Sequence, residues 1–135
     1  MTMKNVSPSI ALDVVPGSFA ICRLNAAATG PVWAVGGPFS SITRTATELS
    51  IVCSSDNVPM DVEAQRGYRA LAVQGPLDFS MIDVVAQLST TLAAAAISIF
   101  VVSTHDTDYV FVPDADLEAA ITALRNAGCA VATGV

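Results

Sequence analysis

The sequence has few charged residues and no excess of basic ones. Six lysines and arginines stand against twelve aspartates and glutamates, which gives a formal net charge of −6. Proteins that bind nucleic acid use lysine and arginine to contact phosphate, and this chain has no run of basic residues. We therefore expect no nucleic-acid partner.

Residues suited to metal and thiol chemistry are also scarce. The chain has a single histidine and three cysteines, Cys22, Cys53 and Cys129, which lie far apart and form no C-x-x-C pair. A structural zinc ion takes four such ligands, and a catalytic cysteine needs a neighbouring base. We expect no metal and no other cofactor, and we interpret the cysteines as small buried side chains.

Long apolar segments are missing as well. The longest apolar stretch, Leu92–Val102, is shorter than the roughly 20 residues that a membrane-spanning helix requires. The N-terminus has one lysine, no long apolar core and no clear cleavage site, so it does not resemble a signal peptide. We expect no membrane partner and a cytoplasmic location.

Apolar residues are abundant, although no single run is long. They make up 53% of the chain and charged residues 13%, a composition that argues against disorder. A chain of 135 residues is long enough for one compact domain or two small ones that share a core. Because so few charges are available to solvate the surface, we expect another copy to cover part of it and predict a homodimer.

The second half alternates between strand and helix patterns. Runs of β-branched and aromatic residues predict strands at Tyr68–Gln74, Ile97–Ser103 and Asp108–Val112, and in the closing segment CAVATGV. Helices are predicted between them, one beginning near Ser80 and one running from Asp114 to a stop at Gly128. The resulting order is the ferredoxin-like βαββαβ arrangement, in which both helices cover one face of the sheet.

Apolar residues at three- and four-residue steps mark the buried face of each predicted helix. The two sets are Met81, Val84, Val85, Leu88 and Leu92, and Leu117, Ala120, Ile121 and Leu124.

The first half is smaller and rich in strands. Strands are predicted at Ser18–Leu24, Phe39–Thr43 and Leu49–Ser54, and Thr45–Leu49 allows at most one short helical turn. The segment Asn25–Pro38 is predicted to be mainly loop because of its glycines and prolines. We divide the chain into residues 1–66 and residues 67–135, two halves that pack together.

Three segments carry a family resemblance: FSSITRTATELSIVCS, YRALAVQGPLDFSMIDVVAQL and ISIFVVSTHDTDYVFV. Together they resemble the ACT-domain family, in particular small bacterial proteins built from paired ACT domains and the CASTOR-type amino-acid sensors. The resemblance implies an α+β fold, with an ACT-like half in residues 1–66 followed by an ACT domain in residues 67–135. It also implies a regulatory module without catalytic activity, which binds a small amino acid at a domain or subunit interface.

The resemblance implies the site residues too. ACT domains bind ligands with the turn after the first strand, the start of the first helix and the loop after the second strand. The corresponding positions are Gly75, Leu77, Asp78, Phe79, Ser80, Thr104, His105, Asp106, Thr107 and Asp108. Asp83 stands where the family usually has a glycine, so it either closes the pocket or favours a cationic ligand.

Other interpretations of these residues remain open at this point. His105 is either an exposed turn residue or part of the pocket, and Thr104, Asp106, Thr107 and Asp108 either shape the turn or contact the ligand. The main alternative function is a structural or protein-interaction module with no small-molecule ligand. A small hydrolase that uses the acidic residues would need a carboxylate pair in an apolar cleft.

Overall fold

The computed structural model describes residues 10–75 and 83–134. The strands and helices are β1 Ala11–Leu24, β2 Ser41–Arg44, β3 Leu49–Ser54, β4 Ala64–Val73, α1 Val84–Ala94, β5 Phe100–Ser103, β6 Asp108–Pro113, α2 Leu117–Asn126 and β7 Ala130–Ala132. Short 3-10 turns lie at Val32–Ala34, Ser55–Asn57 and Asp114–Asp116.

The chain forms two compact units. Val15–Ala70 forms the inner unit, and the described residues within 10–14 and 71–134 form the outer unit. Strands β1 and β4 each contribute residues to both units. The division predicted between residues 66 and 67 falls within β4, and it stays a prediction.

The outer unit contains the predicted order of strands and helices. From the end of β4 the chain forms α1, β5, β6, α2 and β7, and the ferredoxin-like α+β fold is thereby confirmed. Its strands are arranged in the order β7, β1, β4, β6, β5. The start of β1 lies between β4 and β7 and runs parallel to β7, with Leu12 opposite Val131. The sequence did not predict that this first segment completes the sheet of the second half.

Both helices bury their predicted faces in the core of the outer unit. In α1, Val84, Leu88 and Leu92 are buried, whereas Val85 is half-buried. In α2, all four predicted residues are buried. These side chains form one cluster with apolar residues that β1, β4, β6 and β7 direct to the same face. Met81 lies outside the described residues.

The helix ends differ in how well they match the prediction. Gly128 follows α2 with a φ of +100°, which is the left-handed conformation expected of a glycine that ends a helix. At the other end, Asp114 begins a 3-10 turn, and α2 proper begins at Leu117. The predicted start of the first helix at Ser80 lies outside the described residues, and α1 is described from Val84 onward.

The inner unit has the strand order β2, β3, β1, β4. Its core includes Cys22 and Cys53 together with Ala20, Leu49 and Ile51. The segment Thr45–Leu49, for which at most one short helical turn was predicted, contains no helix and makes the β2–β3 hairpin turn. The Thr45 hydroxyl accepts the N–H groups of residues 47 and 48 (3.2 Å each), which satisfies the turn locally without a helix.

Two strands begin earlier than predicted, and each continues through a glycine. The prediction started one strand at Ser18, after Pro16 and Gly17, and another at Tyr68, after Gly67. In the structure β1 runs through Gly17, with a φ of +95°, and β4 runs through Gly67, with a φ of +82°. A glycine inside a strand commonly marks a bulge or bend, so these two glycines are irregularities within strands and not strand boundaries.

Candidate ligand-binding site

The β5–β6 turn is held together by its two threonines. The N–H of Thr104 donates to the carbonyl of Thr107 over 2.8 Å. The Thr104 hydroxyl oxygen accepts the N–H groups of Asp106 (3.3 Å) and Thr107 (3.2 Å). The predicted role of Thr104 in shaping the turn is therefore confirmed.

The same turn is fastened to the end of β4. The Thr107 hydroxyl donates to the carbonyl of Val73 over 2.6 Å. Gly75, the first predicted site residue after β4, follows Val73 by two positions. The structure thus brings the predicted turn residues and Gly75 to one end of the outer unit. The predicted site residues Leu77, Asp78, Phe79 and Ser80 lie outside the described residues.

His105 and Asp106 form the exposed tip of the turn. Their side chains are 90% and 74% exposed, and His105 Nδ1 lies 2.9 Å from Asp106 Oδ1. His105 is thus an exposed residue of the turn, and its predicted contact with a ligand stays a prediction. An ion pair at such exposure contributes little to stability because water screens it.

Asp108 is more sheltered than Asp106. It begins β6 opposite Ser103 and is half-buried. The part that the family resemblance implies for Asp108 in ligand binding stays a prediction.

Asp83 stands at the start of α1 but does not cap it through its side chain. Its carboxylate is exposed, and Oδ2 accepts a hydrogen bond from Nε2 of Gln87 over 2.8 Å. The side chain of Asp83 is thus held along the surface of the helix. Gln87 was not among the predicted site residues, although it lies four residues after Asp83 on a predicted helix, the spacing at which such side chains meet.

A second contact that the sequence analysis missed joins β4 to the start of β1. The N–H of Gln74 donates to the carbonyl of Ala11 (2.8 Å), and its side-chain Nε2 donates to Asp13 Oδ1 (3.2 Å). These bonds fix the backbone immediately before Gly75. Nothing in the local pattern around Gln74 signals this partner, which is distant in the chain.

The charged residues in the described ranges are exposed or half-buried, although the Nε atom of Arg69 is buried. None of the charged side chains in residues 10–75 and 83–134 is buried, and no three of their His, Cys, Asp or Glu side chains are grouped as metal ligands. Within the same ranges, no helix is both long enough and apolar enough to cross a membrane.

Comparison with known proteins identifies the family. A family model for the ACT domain matches residues 63–126, and a second model, for an N-terminal domain, matches residues 17–61. The crystal structure of protein Atu0741 from Agobacterium tumefaciens is 42% identical in sequence, with a TM-score of 0.90 over 96% of each chain. Residues 63–126 belong to the ACT domain family.

More distant solved structures share the fold. The Vibrio cholerae protein VC0802, described as a possible transport protein, is 19% identical, with a TM-score of 0.70 over 87% of this chain and 89% of its own. The ligand-free regulatory subunit of aspartate kinase from Thermus thermophilus is 13% identical, with a TM-score of 0.58 over 82% and 93%. No functionally curated protein matches the chain. ACT domains are generally regulatory, ligand-binding modules and not catalytic ones.

Proposed function

We propose that this ACT protein is a cytoplasmic, non-catalytic regulatory module that binds a small amino acid at a domain or subunit interface. The binding residues in this proposal are Gly75 at the end of β4 and the β5–β6 turn from Thr104 to Asp108. The observation that carries the proposal is the bond from the Thr107 hydroxyl to the Val73 carbonyl, which fixes the turn beside Gly75. A turn fixed in this way loses little conformational freedom when it binds a ligand.

Each part of the turn has a distinct role in this proposal. Thr104 and Thr107 hold the backbone, and the half-buried carboxylate of Asp108 accepts the ammonium group of the amino acid. The ligand acts by changing association between copies or with a partner, because coupling between ligand binding and association is reciprocal. The likeness to the CASTOR-type sensors is part of this proposal and stays a prediction.

The test is a thermal-shift panel of the twenty amino acids at millimolar concentration. A ligand that binds only the folded state increases the free energy of unfolding by RT ln(1 + [L]/Kd), so the melting temperature rises with ligand concentration. We expect a hit whose shift disappears in Asp108→Asn. Asp61→Asn is the matched control, because Asp61 is exposed in the inner unit, and it should retain the shift.

A hit that survives Asp108→Asn would contradict the proposed role of this carboxylate. If none of the twenty amino acids raises the melting temperature, the alternative is favoured, namely a structural or interaction module with no small-molecule ligand.

The proposed homodimer has its own measurement. With 53% hydrophobic and 13% charged residues, the chain has little charge to keep a monomer in solution. Sedimentation velocity at micromolar concentration should give the mass of two copies of the 13.9 kDa chain. A single species at 13.9 kDa across the micromolar range would rule the homodimer out.

A further inference from the structure

The strand β2 forms an unpaired edge of the inner unit. It stands at one end of the strand order β2, β3, β1, β4, and among the described strands it pairs only with β3. Natural sheets protect such an edge with lysine, proline or a bulge, because its free N–H and C=O groups can pair with another chain. β2 has the sequence SITR, and it pairs with β3 residue by residue without a bulge. This edge is therefore open to a further strand.

The hairpin turn shows which backbone groups of β2 point outward. The N–H of Thr45 donates to the carbonyl of Glu48 over 2.9 Å, so these residues form a hydrogen-bonded pair. Hydrogen-bonded and non-hydrogen-bonded pairs alternate along antiparallel strands, and Arg44 and Ile42 therefore direct their N–H and C=O groups away from β3. Among the described residues, no backbone hydrogen bond engages these outward groups.

Ile42 gives this edge apolar surface. Its side chain is 47% exposed, and among the described strand residues no other large apolar side chain is exposed. In β5, the edge strand of the outer unit, Phe100, Val101 and Val102 are half-buried. The loop after β1 lies against Ile42, whose Cδ1 is 3.9 Å from the position that a Cβ on Gly30 would take. A strand that pairs with β2 and covers Ile42 would remove apolar surface from water.

The charge distribution favours a second copy of the chain as that strand. Two copies, each with a net charge of −6, repel one another where acidic residues face each other. The segment from Asn25 to Thr47 has no acidic residue, and it also exposes Val32 and Val35. Its one charged residue, Arg44, donates to two loop carbonyls. Two copies can thus meet along this segment without opposing its carboxylates, because it has none.

We propose that the homodimer forms through β2, with the two copies of this strand paired antiparallel across a twofold axis. The outward groups form hydrogen-bonded pairs when Ile42 lies opposite the partner's Arg44, which places Thr43 opposite its own copy on the axis. Both Ile42–Arg44 pairs then exchange two backbone hydrogen bonds, and no like charges stand directly opposite. A register centred on Arg44 would oppose two guanidinium groups. This interface rests on the homodimer proposed above and names the surface that forms it.

Two charged variants at one position test this register. Ile42→Lys and Ile42→Glu remove the same apolar side chain, but lysine places a like charge and glutamate an opposite charge across from the partner's Arg44. Because the axis repeats each pair, we expect the dimer dissociation constant of the lysine variant to be about tenfold higher than that of the glutamate variant. Sedimentation equilibrium of the full-length protein measures both. The net charge of the copies alone would give the opposite ranking, and Val102→Lys on β5 should leave the constant unchanged.

Cysteine cross-linking locates the axis independently of the charged variants. Opposite residues of a non-hydrogen-bonded pair have Cα atoms about 4.5 Å apart, which is within the range of a disulfide. In a Cys129→Ala background, Thr43→Cys should therefore form a disulfide-linked dimer under mild oxidation. Ser41→Cys lies on the same face of β2, but its two copies would be offset by about 14 Å along the strands and should not cross-link.

The outcomes separate this interface from the homodimer itself. Equal dissociation constants for the two Ile42 variants, or cross-linking through Ser41→Cys as fast as through Thr43→Cys, would overturn the β2 interface alone. A dimer that is lost in Val102→Lys and kept in Ile42→Lys would place the contact on β5 and overturn it too. A wild-type chain that stays monomeric across the micromolar range would overturn both the homodimer and this interface.

Discussion

Ala96 adopts a backbone conformation that suits glycine better. It follows α1 with a φ of +62°, and among the described residues it is the only non-glycine with a positive φ. The N–H of Ile97 donates to the carbonyl of Leu92 (3.0 Å), and that of Ala96 donates to Ala93 (2.9 Å). This pair of bonds is the Schellman motif, whose left-handed residue is most often glycine.

We expect Ala96→Gly to stabilise the protein by about 0.5–1 kcal/mol, because glycine removes the steric cost of a Cβ at positive φ. The control is Ala95→Gly, where φ is −89° and glycine gains nothing. Urea unfolding of both variants gives the free energy of unfolding. A less stable Ala96→Gly would mean that the helix does not end in this motif.

The described arginines mostly serve the backbone. Arg66 donates to the carbonyls of Ser55 (3.3 Å), Val58 (3.2 Å) and Pro59 (2.8 Å), which holds the connection between β3 and β4. Arg44 donates in the same way to two carbonyls of the loop that follows β1. These two arginines thus donate hydrogen bonds to loop carbonyl groups that would otherwise need water molecules as donors.

At the scale of elements, one side-chain bond fastens the β5–β6 turn to the end of β4, in addition to the pairing of β6 with β4 in the sheet. In Thr107→Val the shape is kept, but the hydroxyl that donates to the Val73 carbonyl is lost. We expect a loss of about 1 kcal/mol in the free energy of unfolding, the usual net value of one hydrogen bond. The hydrogen-exchange rates of the amides in β5 and β6 should rise more than those of the amides in the inner unit.

The control for that variant is Thr43→Val on β2, where the side chain is exposed and no described hydrogen bond is lost. Equal exchange in both variants would show that the hairpin does not depend on the Thr107 hydroxyl.

The sequence was sufficient to predict elements whose signals are local. The α2 stripe from Leu117 to Leu124 is buried as predicted because its three- and four-residue spacing matches one helical face. The strand β3 has the predicted bounds, Leu49–Ser54, because its β-branched run lies between clear turn residues. In both cases the residues that determine the element lie inside it.

Structural features that depend on residues far apart in the chain could not be predicted from the sequence. Ile10, Leu12 and Val14 alternate in the manner of a strand, but Pro16 and Gly17 interrupt the pattern, and only pairing with β4 and β7 extends β1 through them. In the candidate site, the local bonds of Thr104 were predictable, whereas the bond from Thr107 to Val73 joins residues 34 positions apart. Only the family resemblance predicted that the β5–β6 turn and the residues after β4 lie close together.

At the scale of the whole molecule, the buried thiols determine how stability responds to alkaline pH. Cys22 and Cys53 lie in the inner core, and burial raises the pKa of both thiols, that of Cys53 to about 11 from 9.0. The neighbouring Cys22 thiol raises the pKa of Cys53 further. The folded protein therefore retains protons that the unfolded chain releases.

The sign of the pH dependence follows from this difference. Because the folded pKa of Cys53 lies above the unfolded one, its contribution to stability is complete below pH 9 and is lost as pH rises toward about 11. The limiting slope is about 1.4 kcal/mol per pH unit for each proton released on unfolding. We expect the free energy of unfolding, measured with urea at constant ionic strength, to be nearly flat from pH 7 to pH 8 and to fall above pH 9.

Replacing the thiols should separate this effect from other alkaline titrations. Cys22→Ala/Cys53→Ala should lower stability at neutral pH, because it leaves space in a packed core, yet its stability should fall less steeply above pH 9. Burial raises the pKa of the Cys129 thiol as well, so Cys129→Ala should reduce the fall only by that thiol's own share and leave the contribution of Cys22 and Cys53 in place. If the double variant loses stability as steeply as the wild type, titration of these thiols does not control alkaline unfolding, and other groups exposed on unfolding do.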